Sequence, residues 1–248
     1  MTINSINNQI PNNDFLVQKT GSGTTVTSTI SQTSNTASAT AKRLISVAGG
    51  TAGDAFTNYT VSGVTNWSEG VDNSDGDAYV IAASTALGTT NVARCSTAGE
   101  WNYPLQPAFS AKLTSQVDNV TGDGTVYSLV YGTEIFDQNS DYNHTTGVFT
   151  APITGVYCFN TMNSITGLAS NHNSASIDFK TTGGDAGNLE NPYAIAANNS
   201  SVFTDAHSYT LITKLTAADT VFIQITVRSG SKVVDITADS YFQGYLIC

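Results

Sequence analysis

Charge is the first thing this sequence lacks. Only 11% of its 248 residues are Asp, Glu, Lys or Arg, against about a quarter in an ordinary soluble domain. Nine are basic and nineteen acidic, so the net charge is -10. A nucleic-acid binder neutralises phosphates with Lys and Arg, so that class is excluded. Long apolar runs are also missing. No stretch approaches the roughly 20 residues that span a bilayer, so membrane insertion is not expected. Periodic runs of Leu, Glu, Lys and Ala, which a helical protein would show, are absent too. Cysteine is scarce: Cys95, Cys158 and Cys248 are an odd number at wide spacing and form no metal-site pattern. They read as three free thiols of a protein made in a reducing cytoplasm. The opening Met1 to Ile10 has neither a basic segment nor an apolar core, so no secretory leader is expected. The sequons at Asn58, Asn66, Asn119 and Asn143 then read as products of composition.

Thr, Ser and Asn, at 36, 26 and 22 residues, fill the place of the charges, with 21 Gly. Aromatic and β-branched residues are too many for a disordered chain. The expectation is an all-β protein rich in turns. Residues 1–40 hold Ile3, Ile6, Ile10, Phe15 and Leu16 in polar surroundings, then a Thr/Ser/Gly/Asn run. This zone cannot bury enough apolar surface to fold alone, and the spaced apolar groups suit an anchoring arm that docks on a partner.

Residues 41–104 alternate short strand candidates with turns: 44–47, 56–61, 66–71, 78–82, 92–95 and 101–104. Their large apolar side chains are few, so a single copy would have a thin core, and several copies pooling their faces would remedy it. Asp72, Asp75 and Asp77 are hard oxygen groups within six residues. They lack the bidentate glutamate of a calcium loop and are ordinary turn residues, so no metal is assigned.

Residues 105–248 carry the strongest strand signals. In 220–228, Val221, Ile223, Ile225 and Val227 occupy one face, and Phe222, Gln224, Thr226 and Arg228 the other. Further candidates are 108–113, 126–131, 155–162, 177–181, 193–196, 208–215 and 241–247. Eight or more strands in so short a stretch suit a jelly roll of two packed sheets.

Within this last segment the residues resemble a family. The run Pro107 to Leu113 resembles the opening strand of the globular head of complement subcomponent q, which belongs with the tumour-necrosis-factor-like jelly rolls. Asn119 to Tyr127, Glu134 to Gln138 and above all Gly147-Val-Phe-Thr-Ala-Pro-Ile-Thr-Gly-Val-Tyr157 continue the likeness, and Ser240 to Ile247 resembles the final strand. The resemblance implies a homotrimer with one aromatic-rich face of each head buried against its neighbours. It also implies Phe109, Phe149, Pro152, Gly155, Tyr157, Phe242 and Gly244 as motif residues of the fold. Phe149 and Tyr157 can fill the sandwich, Pro152 suits a break between strands, and Gly155 permits a close approach. No collagen-like stalk precedes the head. The Gly/Thr/Asn-rich zone in its place resembles shaft segments of bacteriophage and other virion fibres. The expected architecture is therefore a C-terminal jelly-roll β-sandwich, preceded by a small β-rich shaft domain and an extended N-terminal arm.

Catalysis is not expected. No nucleophile elbow occurs, and Asp178 with Glu190 is one carboxylate pair among many. His144, His172 and His207 fall in polar connections and read as solvated loop residues. No cofactor is implied. Binding, if any, falls to the long connections 167–174, 183–192 and 198–207, with Asn171, His172, Asn188, Asn191, Tyr193, Asn199, Phe203 and His207 as receptor-facing residues. Their amides can bond sugar hydroxyls and their rings can stack on a sugar. The expected function is a non-enzymatic fibre or decoration protein of a virion, made in the host cytoplasm. Its arm would dock on a capsid or tail protein, and its head would bind a host glycan or surface receptor or stabilise the particle exterior. The alternative is a secreted lectin-like binding module of the same head family. With so few basic groups, a receptor would be read by hydrogen bonds and stacking, nearly independent of salt.

Overall fold

The computed structural model describes residues 29–31, 33, 36–37, 39–182, 189–193 and 203–248, with segments 189–193 and 203–204 described at the level of the backbone. Ile3, Ile6, Ile10, Phe15, Leu16, Asn188 and Asn199 lie outside the described residues. Contacts divide the chain into two units, Met1–Gly49 and Gly50–Cys248. In the first, the strand expected at 44–47 does not form: Leu44, Ile45 and Val47 are exposed, and among the described residues no strand pairs with them. An apolar run needs a partner edge to become a strand.

In the second unit, β1 (Ala55–Val61), β2 (Thr65–Asp72), β3 (Ala78–Ala82), β4 (Asn91–Cys95) and β5 (Trp101–Asn102) form an antiparallel sheet in sequential order. One face buries Ala78, Val80 and Ala82 under Leu87, with Phe56 packed alongside. That core is as small as the composition suggested. The acidic turn between β2 and β3 is a 3-10 turn, Asn73–Asp75. Asp72 caps it, its Oδ1 accepting from the backbone of Ser74 at 3.0 Å and of Asp75 at 3.2 Å. Asp75 pairs with Arg94 at 2.5 Å, and the guanidinium's hydrogen bond holds its carboxyl below the usual range. Among the described residues, no group of three His, Cys, Asp or Glu is placed to hold a metal.

The remaining strands form a two-sheet sandwich. They are β6 (Ala108–Lys112), β7 (Val117–Thr121), β8 (Val126–Ser128), β9 (Thr133–Asp137), β10 (Tyr142–Asn143), β11 (Val148–Thr150), β12 (Gly155–Leu168), β13 (Ser174–Thr181), β14 (Leu189–Tyr193), β15 (Phe203–Leu215), β16 (Thr220–Arg228), β17 (Val234–Ile236) and β18 (Tyr241–Leu246). One sheet runs β10-β11-β16-β13-β14, with β8 also on β16. The other runs β7-β17-β12-β18-β6-β9, with β15 also on β12. The fold is all-β with the sheets of a jelly roll, and no α-helix occurs among the described residues.

The core lies between the sheets. Val221, Ile223, Ile225 and Val227 of β16 are fully buried, as their alternation required. They face Tyr157, Phe159 and Phe242 from the second sheet. Phe109 stacks on Tyr142 at 4.7 Å and on Phe149 at 5.3 Å, and Phe149 meets Tyr157 edge-on at 5.6 Å. Pro152 lies in the break between β11 and β12. A Cβ at Gly155 would lie 2.6 Å from Leu246 and 2.8 Å from the Cys248 carbonyl, so the C-terminal strand closes directly on this glycine.

A polar network runs through this apolar layer. The Tyr131 hydroxyl donates to Asn163 Oδ1 at 2.7 Å, Asn163 Nδ2 donates to Thr161 Oγ1 at 3.0 Å, and Thr161 donates to the Tyr241 carbonyl at 2.9 Å. Burial pushes the Tyr131 phenol far up, so it remains a neutral donor. The segment joining the five-stranded sheet to β6 is tied to the sandwich. Gln138 Nε2 donates to the carbonyls of Tyr103 and Gln106, both at 2.8 Å, and Gln106 Nε2 donates to the Leu246 carbonyl at 2.9 Å.

Candidate functional site

The outer face of the β15-β12-β18-β6-β9 sheet carries an apolar row that the core does not need. Strand alternation sends Tyr157 and Phe159 of β12 inward, and Cys158 and Asn160 outward. The register then aligns Ile212, Cys158, Tyr245 and Ala108 across β15, β12, β18 and β6. The next row is Thr210, Asn160, Gln243 and Ser110, ending at Phe136 of β9. Ile212 is 62% exposed, Tyr245 53% and Phe136 51%. Between the rows lies a shallow cavity of about 350 Å³ lined by Ala108, Phe136, Cys158, Asn160, Gln243 and Tyr245, among others. Its chemistry is that of a contact surface: aromatic rings and small apolar groups beside the neutral amides of Asn160 and Gln243, with no carboxylate in the lining. The Tyr245 phenol is pushed up, first by its hydrogen bond to the Cys158 sulfur and then by the charge interaction with that neighbour. Sequence reading found the strands but not this row. Its signal was Ile212 and Tyr245 standing on the polar phase of otherwise amphipathic strands.

Of the expected receptor-facing residues, Asn171, His172 and His207 have described side chains, and they stand in different settings. Asn171 is exposed in the turn after β12, but His172 beside it is only 2% exposed. The expectation of a solvated, receptor-facing His172 is corrected. Its Nδ1 accepts from the Ala169 amide at 2.9 Å, and its Nε2 lies 3.1 Å from the Ser231 carbonyl. This pairing fixes the tautomer with the proton on Nε2. A slot for the ring is left by two glycines: a Cβ at Gly230 would lie 2.2 Å from the imidazole, and one at Gly122 would lie 3.0 Å from it. Gly122 also has φ +129, open to glycine but not to side chains with a Cβ. His172→Ala would strand the Ala169 amide and the Ser231 carbonyl, and is expected to cost about 1–3 kcal/mol. Urea denaturation should show this as a lower midpoint with an unchanged slope.

His207 is likewise not in a connection but within β15, with Nε2 2.8 Å from Asp205 and its ring parallel to Tyr209 at 6.2 Å. The backbone of Phe203 opens the same strand. Asn191 and Tyr193 belong to β14, paired with Ile177 and Ala175 of β13. His144 is a solvated loop residue whose Nδ1 lies 3.0 Å from Glu134. It borders an open cleft of about 810 Å³ lined by Glu134, Asp137, Asp141 and others. There Asp137 accepts from the amides of Asp141 and Tyr142 at 3.2 and 3.0 Å, a turn-building role. Asp178 and Glu190 stand opposite each other across β13 and β14, and Asp178 is buried with Lys180 Nζ at 3.4 Å. No disulfide joins the three cysteines.

The family profile described as the C1q domain matches residues 108–247. Among solved structures, the globular domain of the zebrafish complement 1qA protein is 22% identical. The match covers 58% of this chain and 98% of that one, with a TM-score of 0.43. Murine APRIL is 6% identical over 57% of this chain and 99% of its own, with a TM-score of 0.40. No curated protein matches the chain.

Proposed function

The chain belongs to the C1q domain family through residues 108–247, and from that premise we propose that three copies join through the apolar outer face of β15, β12, β18, β6 and β9 to form a non-enzymatic binding head. Domains of this kind form homotrimers and are typically binding modules rather than enzymes. The observation that carries the reading is the aligned row Ile212, Cys158, Tyr245 and Ala108, in which exposed Ile212 and Tyr245 stand beside half-buried Cys158 and Ala108 on a sandwich already filled without them. Fully burying a side chain such as Ile212 contributes about 1.5–3 kcal/mol, and a three-fold arrangement repeats that gain in every copy.

The finer reading divides the chain into an anchoring arm (1–40), a β-rich shaft (41–104) and the trimeric head (105–248), mounted on a virion as a fibre or decoration protein. The head then engages a host glycan or receptor, or stabilises the particle exterior. What supports this is the order of the parts: spaced apolar residues in a polar leader, then a sheet with a small core, then a head with an unpartnered apolar face. Deleting residues 1–40 is expected to leave a native mass of three chains and to abolish recovery with particles. A wild-type monomer near 26.0 kDa would overturn the trimer. Trimers that never copurify with particles, and that are recovered outside cells, would overturn the virion role and favour the secreted lectin-like alternative.

A further inference from the structure

The solvent face of the five-stranded sheet is more elaborate than a shaft requires. Alternation and register place Tyr59 of β1 beside Trp67 of β2, Glu69 beside Thr57 and Ile81, and Tyr79 in line with Cys95 and Trp101. All of these lie on the face opposite the small core of Phe56, Val80 and Leu87. The whole chain has two tryptophans, and both stand here, 41% and 53% exposed. Glu69 is held at the centre. The Tyr59 hydroxyl donates to its Oε1 at 2.6 Å and the Tyr79 hydroxyl to its Oε2 at 3.3 Å. Tyr79 in turn meets the Trp101 ring edge-on at 6.3 Å.

We propose that this face is a binding platform for a neutral, hydroxyl-rich polysaccharide. A sugar ring presents a C–H face that lies on an aromatic ring and hydroxyls that donate to a fixed carboxylate. Each Glu69 oxygen accepts one tyrosine bond and has lone-pair capacity for a sugar hydroxyl. The surface is open and crosses five strands, about 19 Å at the usual strand spacing, so it suits a run of chain rather than a terminal group. An apolar partner would have to desolvate Glu69 without returning its hydrogen bonds. An anionic polymer meets Glu69 and a net charge of -10. Rings that enclose a cation form a cage, whereas these share one flat face. A second copy of the chain would bring like-charged glutamates together. The platform lies outside residues 108–247 and is independent of how the head assembles.

Both tryptophans sit on the platform, so their emission reports on it directly. The full-length protein is titrated with a soluble α-glucan, β-glucan, mannan and galactan, and run on native gels containing each. A saturable emission change and retarded migration with at least one of the four are expected. Trp67→Ala and Trp101→Ala should each weaken binding roughly tenfold, as truncating an anchoring aromatic does. Glu69→Gln should weaken it with native mass unchanged, while Trp67→Phe, which keeps a ring, should retain most of it. Silence with all four polymers overturns the proposal, as does binding that survives both alanine substitutions. A response to polylysine alone would assign the face to a cationic partner instead. Loss of the native oligomer in the Trp67→Ala or Trp101→Ala variant would make it an interface between copies.

Discussion

Ile212→Glu is expected to convert the purified protein from a three-chain particle to a single chain near 26.0 kDa, read by native mass spectrometry. Ile212 is 62% exposed and sits directly across from Cys158, which is across from Tyr245. In a three-fold assembly the substitution enters three times. Each copy loses about 1.5–3 kcal/mol of apolar burial and must bury a carboxylate whose desolvation costs several kcal/mol without a partner. The three carboxylates also repel one another. The monomer itself should remain folded, because the side chain points away from Leu211 and the sandwich core. Ile212→Val, which keeps the shape, should leave the mass at three chains. A trimer that survives Ile212→Glu would move the interface to another face.

The head was legible where two signals coincided. In β16 the alternation of four branched residues with Phe222, Gln224, Thr226 and Arg228 marked both the strand and its buried side, and the structure buries those four branched residues completely. Between Gly147 and Tyr157 the spacing of Phe149, Pro152, Gly155 and Tyr157 matched both the physics and a family, and the two aromatics lie in one cluster. The strand at 78–82 formed at the expected residues, since Tyr79 and Ile81 alternate with Ala78, Val80 and Ala82. Elsewhere the local signal was too short or misleading. β10, β11 and β17 have two or three residues each, and their pairing is dictated by longer neighbours rather than by their own pattern. β14 contains Pro192, a residue that argues against a strand, yet it is tolerated at the sheet edge on β13.

His172 was misplaced because its environment comes from afar: the glycines that make its slot are 50 and 58 residues away in sequence. The apolar row was missed for a related reason. Ile212 sits in a strand whose alternating Tyr209, Leu211, Thr213 and Leu215 already explain burial. A single outward isoleucine is ordinary in a surface strand. Only the register, which brings it beside Cys158 and Tyr245, turns scattered residues into a surface.

The second large effect is expected at Gly244, where even one methyl group is too much. A Cβ there would stand 2.4 Å from Phe159 Cδ1 and 3.0 Å from Phe109 Cε1. Neither ring has room to retreat. Phe159 is fully buried against Phe149 at 5.2 Å, and Phe109 is wedged between Tyr142 at 4.7 Å and Phe242 at 5.0 Å. Overpacking of this kind typically costs about 1–3 kcal/mol and occasionally more. Gly244→Ala should therefore lower the thermal midpoint of the head by several degrees, and Gly244→Val should prevent folding. Phe149→Ala at the centre of the same cluster should cost about 3–5 kcal/mol, so the two variants calibrate each other. The mechanism has its own check. If the collision with Phe159 is the cause, Phe159→Leu should cost less in the Gly244→Ala background than in the wild type, with a coupling of about 1 kcal/mol or more in denaturant titrations. Strict additivity would show that the glycine is required for the path of the backbone. Coupling would show that the strand was kept bare at this position so that one ring from β6 and one from β12 could both lie against it.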